Sequence, residues 1–357
     1  MSFPEVSIII PVYNAAAYID DCLNSICARS SEDIEIICVD DCSTDNSLEV
    51  LYRWAEKDPR IKVIAQEVNT HQGGARNAGL DIARGKYVWF IDADDYVDED
   101  AVDNLLRQMD ILENADLISF DADSFIDSDG KKKPVKTGNI RREWPKNRKL
   151  FLPEDMNMIP DTLDGTCFTY FARRSLIDQY RFRRNVFFED ADFTFNVFTS
   201  PGVFYEMNYT PYHRRIRDDS STGGGEGRNE ESIKGRLFAV REIFRIIEEK
   251  HLPADHYGVR WAVKWFRFAS DLYFERPELR CDECDRIILD AEDEIKKMRA
   301  GRLNVRQRLR HLNLKSIEQY LTFFPRTLAG AVKYCRKKGL KRTWNKILIR
   351  LRIKKVR

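Results

Sequence analysis

The first hundred residues alternate between short apolar runs and helical patterns, and this alternation constrains the fold more than any other feature of the sequence. Four β-branched runs predict strands: Val6–Pro11, Ile34–Val39, Ile61–Ala65 and Tyr87–Ile91. Segments with apolar residues at helical spacing lie between them. Continuous apolar strands that alternate with helices are typical of a mostly parallel sheet covered on both faces. We therefore predict an α/β fold whose ligand site lies beyond the carboxyl ends of its strands.

Three of these predicted strands end in side chains that carry oxygen. Asn14 follows the first strand, Asp41 follows the second, and Asp92 and Asp94 follow the fourth. Each one alone is explained as a turn residue or a helix cap, but capping is a weaker explanation for a series of strand ends. Two carboxylates one residue apart can hold Mg²⁺ or Mn²⁺ together with phosphate oxygens and water. Such a cation neutralises a diphosphate as it leaves.

Two common nucleotide-binding loops are absent from the sequence. No Gly-x-x-x-x-Gly-Lys-Ser/Thr loop occurs, and no Gly-x-Gly-x-x-Gly follows the first predicted strand. The sequence therefore disfavours a P-loop nucleoside triphosphatase and a dinucleotide-dependent dehydrogenase.

Four segments of this region resemble the motifs of the family 2 glycosyltransferases, the inverting enzymes of the nucleotide-sugar-binding GT-A fold. They are Val6-Ser-Ile-Ile-Ile-Pro-Val-Tyr-Asn14, Val39-Asp-Asp-Cys-Ser-Thr-Asp45, Ala75-Arg-Asn-Ala-Gly79 and Gly85-Lys-Tyr-Val-Trp-Phe-Ile-Asp-Ala-Asp-Asp95. Any one motif is a weak signal, but the four together in this order are specific. The resemblance is strong over residues 5–110 and patchy to residue 222. It implies a GT-A fold, with a Rossmann-like, mostly parallel sheet and a C-terminal helical extension.

The resemblance implies a set of donor-binding residues. Pro11, Tyr13 and Asp41 are expected to line the nucleobase pocket, where Tyr13 stacks on the base and Asp41 accepts a hydrogen bond from the uracil N3–H. Asn14 and Arg76 are expected beside the nucleotide, since a guanidinium suits a base edge or a phosphate oxygen. The alternative for Arg76 is a surface ion pair on its own helix.

The same resemblance divides the acids after the fourth strand by role. Asp92 is expected near the ribose and the metal, Asp94 is expected to be the principal metal ligand, and Asp95 is expected to line the sugar pocket. The implied cofactor is Mn²⁺ or Mg²⁺.

The segment 186–193 provides the candidate base, because it holds Glu189, Asp190 and Asp192 among aromatic residues. An inverting transferase needs one carboxylate to take the proton of the acceptor hydroxyl, and aromatic neighbours that exclude water raise a carboxylate pKa toward a useful value. By the Glu-Asp pair of the family, Asp190 is the implied base and Glu189 an orienting or acceptor-binding neighbour. The alternative is that these acids only open a helix, since acids favour its first turn.

A later segment, 212–222, resembles the loop that closes over the donor diphosphate in many relatives. Its expected phosphate contacts come from His213, Arg215, Arg217 and Ser220. The glycine-rich residues 223–227 fit either a hinge for this loop or a plain linker to the next domain.

The sequence predicts four regions. Residues 1–110 form the nucleotide-sugar-binding half of the GT-A domain, and residues 111–225 form its acceptor-binding half. Residues 226–327 have helical spacing and form an appendage, and residues 328–357 form a basic amphipathic tail.

Charge is distributed unevenly along the chain. The net charge is +1, yet residues 296–357 contain 21 Lys or Arg against one acid, which leaves −19 on the rest. In the tail, one face of a predicted helix is apolar, with Leu340, Trp344, Ile347, Leu348 and Leu351. Basic residues around this face are typical of a helix that lies on an anionic membrane surface. The alternative is a helix that packs this face on its own domain.

These expectations combine into one function. The chain is expected to move a sugar, a hexose or an N-acetylhexosamine, from a nucleotide-diphosphate donor to a hydroxyl of a growing, lipid-linked cell-surface glycan. A UDP-sugar is the favoured donor. With no export signal at the start of the sequence, the enzyme is expected to be cytoplasmic and peripheral at the inner face of the cell membrane.

Two alternatives remain at this point. A sugar-nucleotide nucleotidyltransferase can share the fold, but it requires a basic, glycine-rich first loop, and Pro11–Ala17 contains no Gly, Lys or Arg. A nucleic-acid-binding protein could use the basic C-terminus, but the rest of the chain is acidic and has no nucleic-acid motif. We therefore expect no nucleic-acid partner.

Overall fold

A computed structural model of the protein describes residues 3–28, 33–128, 131–140, 148–151, 165–217, 230–279 and 281–300. The chain divides into two compact units, Met1–Gly227 and Arg228–Arg357. The first unit begins with β1 (Val6–Val12), α1 (Ile19–Cys27), β2 (Ile34–Asp40), α2 (Ser47–Lys57), β3 (Ile61–Ala65), α3 (His71–Ile82), β4 (Tyr87–Phe90), β5 (Tyr96–Val97) and α4 (Ala101–Ile111). It continues with β6 (Leu117–Ser119), β7 (Ala122–Ser128), β8 (Lys131–Ile140), β9 (Arg148–Phe151), β10 (Tyr170–Arg173), α5 (Arg174–Ile177), α6 (Glu189–Phe198), β11 (Val203–Glu206) and β12 (Tyr212–Arg215).

The larger sheet of this unit has eight strands among the described residues, in the order β3-β2-β1-β4-β10-β6-β11-β9. Strands β3, β2, β1 and β4 are parallel to one another. Strand β10 is antiparallel to both of its neighbours, β6 is parallel to β11, and β9 is antiparallel to β11. Every residue of β1 and β2 is buried, which explains their continuous apolar sequences. The predicted mostly parallel sheet is confirmed.

The helices between the first strands cover the sheet. Helix α3 packs against β1 and β2, and α2 packs against β3. Gly79 permits the close approach of α3, because a Cβ at this position would lie 2.5 Å from Cγ2 of Ile9. The four predicted strands of the first hundred residues are confirmed to within a few residues at their ends, and helices lie between them as predicted.

A second sheet has four strands among the described residues, in the order β5-β12-β7-β8. Strand β12 lies inside this sheet, antiparallel to β5 and parallel to β7. The expectation of a loop throughout residues 212–222 is therefore wrong for Tyr212–Arg215. These residues form a strand because β5 and β7 both pair with it, and its first and last side chains are buried.

The second unit is helical where it is described. Helices α7 (Glu230–Glu249), α8 (Tyr257–Glu275) and α9 (Asp282–Ala300) pack against one another, and a short 3₁₀ helix, Pro277–Leu279, follows α8. The helical pattern predicted for this part of the sequence is confirmed over these residues. The predicted tail, 328–357, lies outside the described residues. None of the helices described here combines the length and the apolar character that crossing a membrane requires.

Candidate active site

The carboxyl ends of β1, β2 and β4 lie at one edge of the larger sheet, because these strands are parallel neighbours. The backbone N–H of Asp41 donates to the carbonyl of Val12 at 2.8 Å. Asn14 has a positive φ of 49°, and its Oδ1 accepts from the backbone N–H of Thr44 at 2.8 Å. The side chain of Asn14 therefore connects the turn after β1 to the turn after β2 by a hydrogen bond.

The three residues predicted to line the nucleobase pocket lie together at this edge. Pro11 is buried within β1, Tyr13 is 50% exposed, and Asp41 is 2% exposed. Oδ1 of Asp41 accepts from the Thr70 N–H at 2.7 Å, the Thr70 hydroxyl at 3.1 Å and Gln66 Nε2 at 3.2 Å. Burial raises the pKa of Asp41, and the bonds from Thr70 oppose this shift. The carboxylate is thus held in one orientation beside an accessible aromatic ring.

Two of the acids after β4 each pair with an arginine. Oδ1 of Asp92 accepts from Nη2 of Arg76 at 2.8 Å, and Oδ2 of Asp94 lies 3.0 Å from Nε of Arg217. Both carboxylates are about one-fifth exposed. Burial raises the pKa of Asp94, and Arg217 opposes that shift.

Asp95 has a different environment from Asp92 and Asp94. Its side chain is buried, Oδ2 accepts from the Tyr212 hydroxyl at 2.6 Å, and Oδ1 accepts from the Arg215 backbone N–H at 2.7 Å. Burial raises the pKa of Asp95 well above its usual value, and the neighbouring Asp94 and Asp92 reinforce the shift. In this structure Asp95 ties the end of β4 to β12, and its contact with the donor sugar stays a prediction.

Arg215 is buried and surrounded by protein groups. Its Nε donates to the carbonyl of Asp94 at 2.7 Å, its Nη2 donates to Asp21 at 2.9 Å, and it also pairs with Asp127. The guanidinium lies over the ring of Tyr18 at 4.9 Å. The structure thus gives Arg215 a place in the framework of the site, and its phosphate contact stays a prediction.

The other residues predicted to contact phosphate have distinct surroundings. The Arg217 guanidinium also lies over Tyr18, at 4.9 Å, and its side chain is 22% exposed. Nε2 of His213 is 2.9 Å from Oδ1 of Asp98, and its ring stacks on Tyr96 with centroids 4.5 Å apart. Ser220 lies outside the described residues.

Arg76 connects the two halves of the candidate site. Its side chain is 2% exposed, Nη2 donates to Asp92, and Nη1 donates to Oε1 of Glu189 at 2.5 Å. The surface ion pair considered for Arg76 is therefore wrong, since the guanidinium is buried and its partners lie in the segment after β4 and on α6. Gly73, one turn earlier in α3, permits this approach because a Cβ there would lie 2.1 Å from the carbonyl oxygen of Arg183.

The acids predicted to contain the base lie in the first turn of α6, which begins at Glu189. Glu189 is buried and pairs with Arg76, and Asp192 is buried and accepts two bonds from Arg183, at 2.9 and 2.6 Å. The side chain of Asp190 is partly exposed. Glu189, Asp190 and Asp192 lie in the first turn of α6, as the alternative to a catalytic role predicted. Asp190 is the most exposed of the three.

The suitability of this site for a divalent cation depends on Asp92 and Asp94. In the described part of the chain, no three His, Cys, Asp or Glu side chains are arranged to hold a metal ion by themselves. Arg76 lies beside Oδ1 of Asp92, and Arg217 lies beside Oδ2 of Asp94. The second oxygens fit a hard cation that takes the rest of its ligands from phosphate and water.

Several residues that build the site were not predicted. The hydroxyl of Tyr212 donates to Asp95 and orients its carboxylate. Tyr212 begins the segment that was predicted to be a loop, but no role was predicted for its side chain. Thr70 fixes Asp41, and its place one residue before α3 was the signal that could have suggested a polar contact. Tyr18 lies beneath two arginines, and nothing in the sequence distinguishes it from an ordinary residue before a helix.

Sequence comparison links the chain to known proteins. Residues 7–181 match the family model described as Glycosyl transferase family 2. The putative glycosyltransferase EpsH of Bacillus subtilis is 31% identical over 223 residues, which cover 60% of this chain and 62% of EpsH. The poly(ribitol-phosphate) beta-glucosyltransferase of Bacillus spizizenii is 45% identical over 101 residues, which cover 28% of this chain and 16% of that protein. The chain thus spans less than two thirds of the length of either relative.

Structure comparison defines the class of fold. The crystal structure of S. aureus TarS 1–349 in complex with UDP-GlcNAc superposes with a TM-score of 0.57 and 19% identity, over 82% of this chain and 89% of that one. The architecture is therefore the GT-A fold of glycosyltransferases. Together with the family match over residues 7–181, which is about half of the chain, this likeness supports a family 2 glycosyltransferase.

Proposed function

We propose that this protein is an inverting glycosyltransferase that moves a sugar from a UDP-sugar to a hydroxyl of a cell-envelope glycan. The observation that supports this most directly is the pair of contacts made by Arg76. Through them the acids at the end of β4 and the acids at the start of α6 belong to one cluster. Sugar transfer needs the donor diphosphate and the acceptor hydroxyl to be held close together. In this cluster the acids after β4 would serve the donor, and the acids of α6 would serve the acceptor.

The donor nucleotide is assigned to the ends of β1 and β2. Tyr13 presents an exposed ring for stacking on the base, and Asp41 has its Oδ1 occupied by Thr70 and Gln66. Its Oδ2 is then directed to the uracil N3–H. The fold shared with TarS, which was crystallised with UDP-GlcNAc, supports a UDP-sugar as the donor class.

Asp92 and Asp94 are assigned to the donor diphosphate. They would hold Mn²⁺ or Mg²⁺, which when bound neutralises the negative charge of the leaving diphosphate. Asp190 accepts the proton of the acceptor hydroxyl as that oxygen forms its bond to the anomeric carbon and the bond from that carbon to the diphosphate breaks. Attack from the face opposite the leaving group inverts the configuration of the sugar.

The acceptor class is proposed from the relatives and from the basic tail. One relative is named a poly(ribitol-phosphate) beta-glucosyltransferase, a name that refers to a phosphate-rich polymer. Residues 328–357 contain the basic amphipathic pattern of an interfacial helix. We assign this tail to the inner face of the cell membrane, where a lipid-linked glycan is accessible to the enzyme.

The reaction is tested by the products that form from defined substrates. The protein is incubated with a panel of UDP- and GDP-sugars and Mn²⁺, and nucleoside diphosphate is measured, because slow donor hydrolysis requires no acceptor. A parallel reaction contains UTP and a sugar 1-phosphate, and pyrophosphate is measured. We expect UDP release from one or more donors, and it should stop in excess chelator. Pyrophosphate release without UDP release would instead identify a nucleotidyltransferase.

A further inference from the structure

The two arginines that pair with Asp92 and Asp94 differ in their exposure to solvent. Arg76 is 2% exposed and joins Asp92 to Glu189, so its position is fixed from two elements. Arg217 is 22% exposed, pairs with Asp94 and lies on the face of Tyr18. Of the two guanidinium groups, Arg217 is therefore the one that solvent and a ligand can reach.

The backbone beside Arg217 is anchored independently of its side chain. The N–H of Ile216 donates to the carbonyl of Phe125 at 2.8 Å, and Nε of Arg215 donates to the carbonyl of Asp94 at 2.7 Å. Rotation about the side-chain bonds of Arg217 can thus move its charge without moving β12 or the end of β4.

Arg217 also pairs with Asp94, the carboxylate that a divalent cation would need as a ligand. Its Nε is 3.0 Å from Oδ2 of Asp94, and a cation bound to that carboxylate would be close to the guanidinium. Because like charges repel strongly at this range, the cation must displace Arg217 or bind weakly beside it. A nucleoside diphosphate removes the conflict, since its oxygens can accept both the cation and the guanidinium.

We infer that Arg217 is the resident counter-cation of Asp94 and makes binding of the divalent cation conditional on the nucleotide diphosphate. Without nucleotide, Arg217 competes with the cation for Asp94. With nucleotide, Arg217 moves to the diphosphate and releases the carboxylate. This inference rests on the proposed function and adds to it an order of events: the cation and the nucleotide bind as a pair.

Coupling between cation binding and nucleotide binding predicts a change in affinities that differs from the effect of a damaged site. The cation and the nucleotide must raise each other's affinity by the same factor, because linkage is reciprocal. Loss of the Arg217 charge should strengthen binding of the cation alone and weaken binding of the nucleotide. A damaged site would bind both more weakly.

The test is a titration of the full-length protein with Mn²⁺, in which free Mn²⁺ is measured by electron paramagnetic resonance with and without UDP. Arg217→Gln should bind Mn²⁺ alone about two- to fivefold more tightly than the parent, the range expected for a partly exposed ion pair. The factor by which UDP increases Mn²⁺ affinity should shrink to the same extent. Arg217→Lys, which retains the charge, should stay close to the parent.

The matched control removes one positive charge elsewhere. Arg181 pairs with Asp81 at 3.3 Å on an exposed surface, so Arg181→Gln should leave Mn²⁺ binding unchanged. Equal or weaker Mn²⁺ binding by Arg217→Gln, or equal tightening in Arg217→Lys or Arg181→Gln, would overturn the inference. In that case, Mn²⁺-dependent UDP binding by the parent would still support the proposed function. If the parent binds no Mn²⁺ even with UDP, both are wrong.

Discussion

At the scale of single residues, Asp190 is distinguished from its neighbours in α6 by access. Glu189 and Asp192 are buried against arginines, whereas the Asp190 side chain is partly exposed. We predict that Asp190→Asn retains UDP binding and loses transfer by about 10²- to 10⁴-fold, the usual contribution of a general base. Calorimetric titration with UDP and initial rates of transfer measure the two effects separately. Transfer at the parent rate would place the base at another residue.

Sequence analysis predicted some residues of the site better than others. The placement of Asp41, Asp92 and Asp94 at one edge of the sheet was predictable, because a strand end followed by an acid is a local pattern. The pairing of Arg76 with Glu189 was not, because the two residues are 113 positions apart and no periodicity reports such a contact. The burial of Arg215 was missed for the same reason, since its partners come from α1, from the segment after β4 and from β7.

At the scale of secondary-structure elements, the ion pair between Arg76 and Glu189 joins α3 to α6. We predict that Arg76→Gln lowers the free energy of unfolding by about 3–5 kcal/mol, because it leaves a buried carboxylate without its cation. The double variant Arg76→Gln/Glu189→Gln should recover much of this loss, since both charges are removed. Urea unfolding of the parent, both single variants and the double variant measures the coupling. Additive losses would contradict the pairing.

Glu35 in β2 links three elements and makes stability depend on pH. Its carboxylate accepts from the Ser7 hydroxyl, Lys62 Nζ and the Arg84 N–H, each at 2.6 Å. Burial alone would raise the pKa of Glu35, but the bonds from Lys62, Ser7 and Arg84 outweigh it and lower the pKa below the ordinary 4.5. The native state therefore favours the carboxylate, and its contribution is complete above pH 4.5 and is lost as the pH falls through the lowered value.

We predict from this that Glu35→Gln melts at a lower temperature than the parent at pH 7, with a loss of about 1–3 kcal/mol. The difference in melting temperature should narrow as the pH is lowered from 5 to 3, because the parent then loses the same charge. Thermal unfolding at a series of pH values measures this. A difference that stays constant over that range would show that the charge of Glu35 does not stabilise the fold.

The elements themselves were predictable where their patterns were long. Strands β1 and β2 are buried on both faces and read as continuous apolar runs. The second sheet was not predicted, because β5 has two residues and β12 has four, too few to establish a period of two. The position of β10 between β4 and β6 depends on the order of strands in space, which local sequence does not encode.

At the scale of the whole molecule, the basic tail is expected to bring the enzyme to its acceptor. Each basic residue near an anionic surface contributes about 1 kcal/mol, and seven surround the apolar face: Lys341, Arg342, Lys346, Arg350, Arg352, Lys354 and Lys355. We predict that the full chain sediments with acidic liposomes and that a chain ending at Thr327 does not. Added salt should also release the full chain.

Donor hydrolysis provides the control for this truncation. The chain that ends at Thr327 should release UDP from the donor at nearly the parent rate, since the residues of the candidate site precede it. Sedimentation of the truncated chain, or failure of the full chain to sediment, would contradict the membrane assignment.

We propose that the acids at the end of β4 hold the donor diphosphate through a divalent cation. The most direct measurement is the initial rate of UDP release from the best donor in Mn²⁺, compared among the parent, Asp94→Asn and the control Asp81→Asn, whose carboxylate is exposed on α3. Loss of a metal ligand should cost several kcal/mol of transition-state stabilisation, so we predict a fall of about 10²- to 10⁴-fold for Asp94→Asn and no change for Asp81→Asn. A rate for Asp94→Asn within twofold of the parent, or full turnover in excess chelator, would show that no cation held by Asp94 takes part in the reaction.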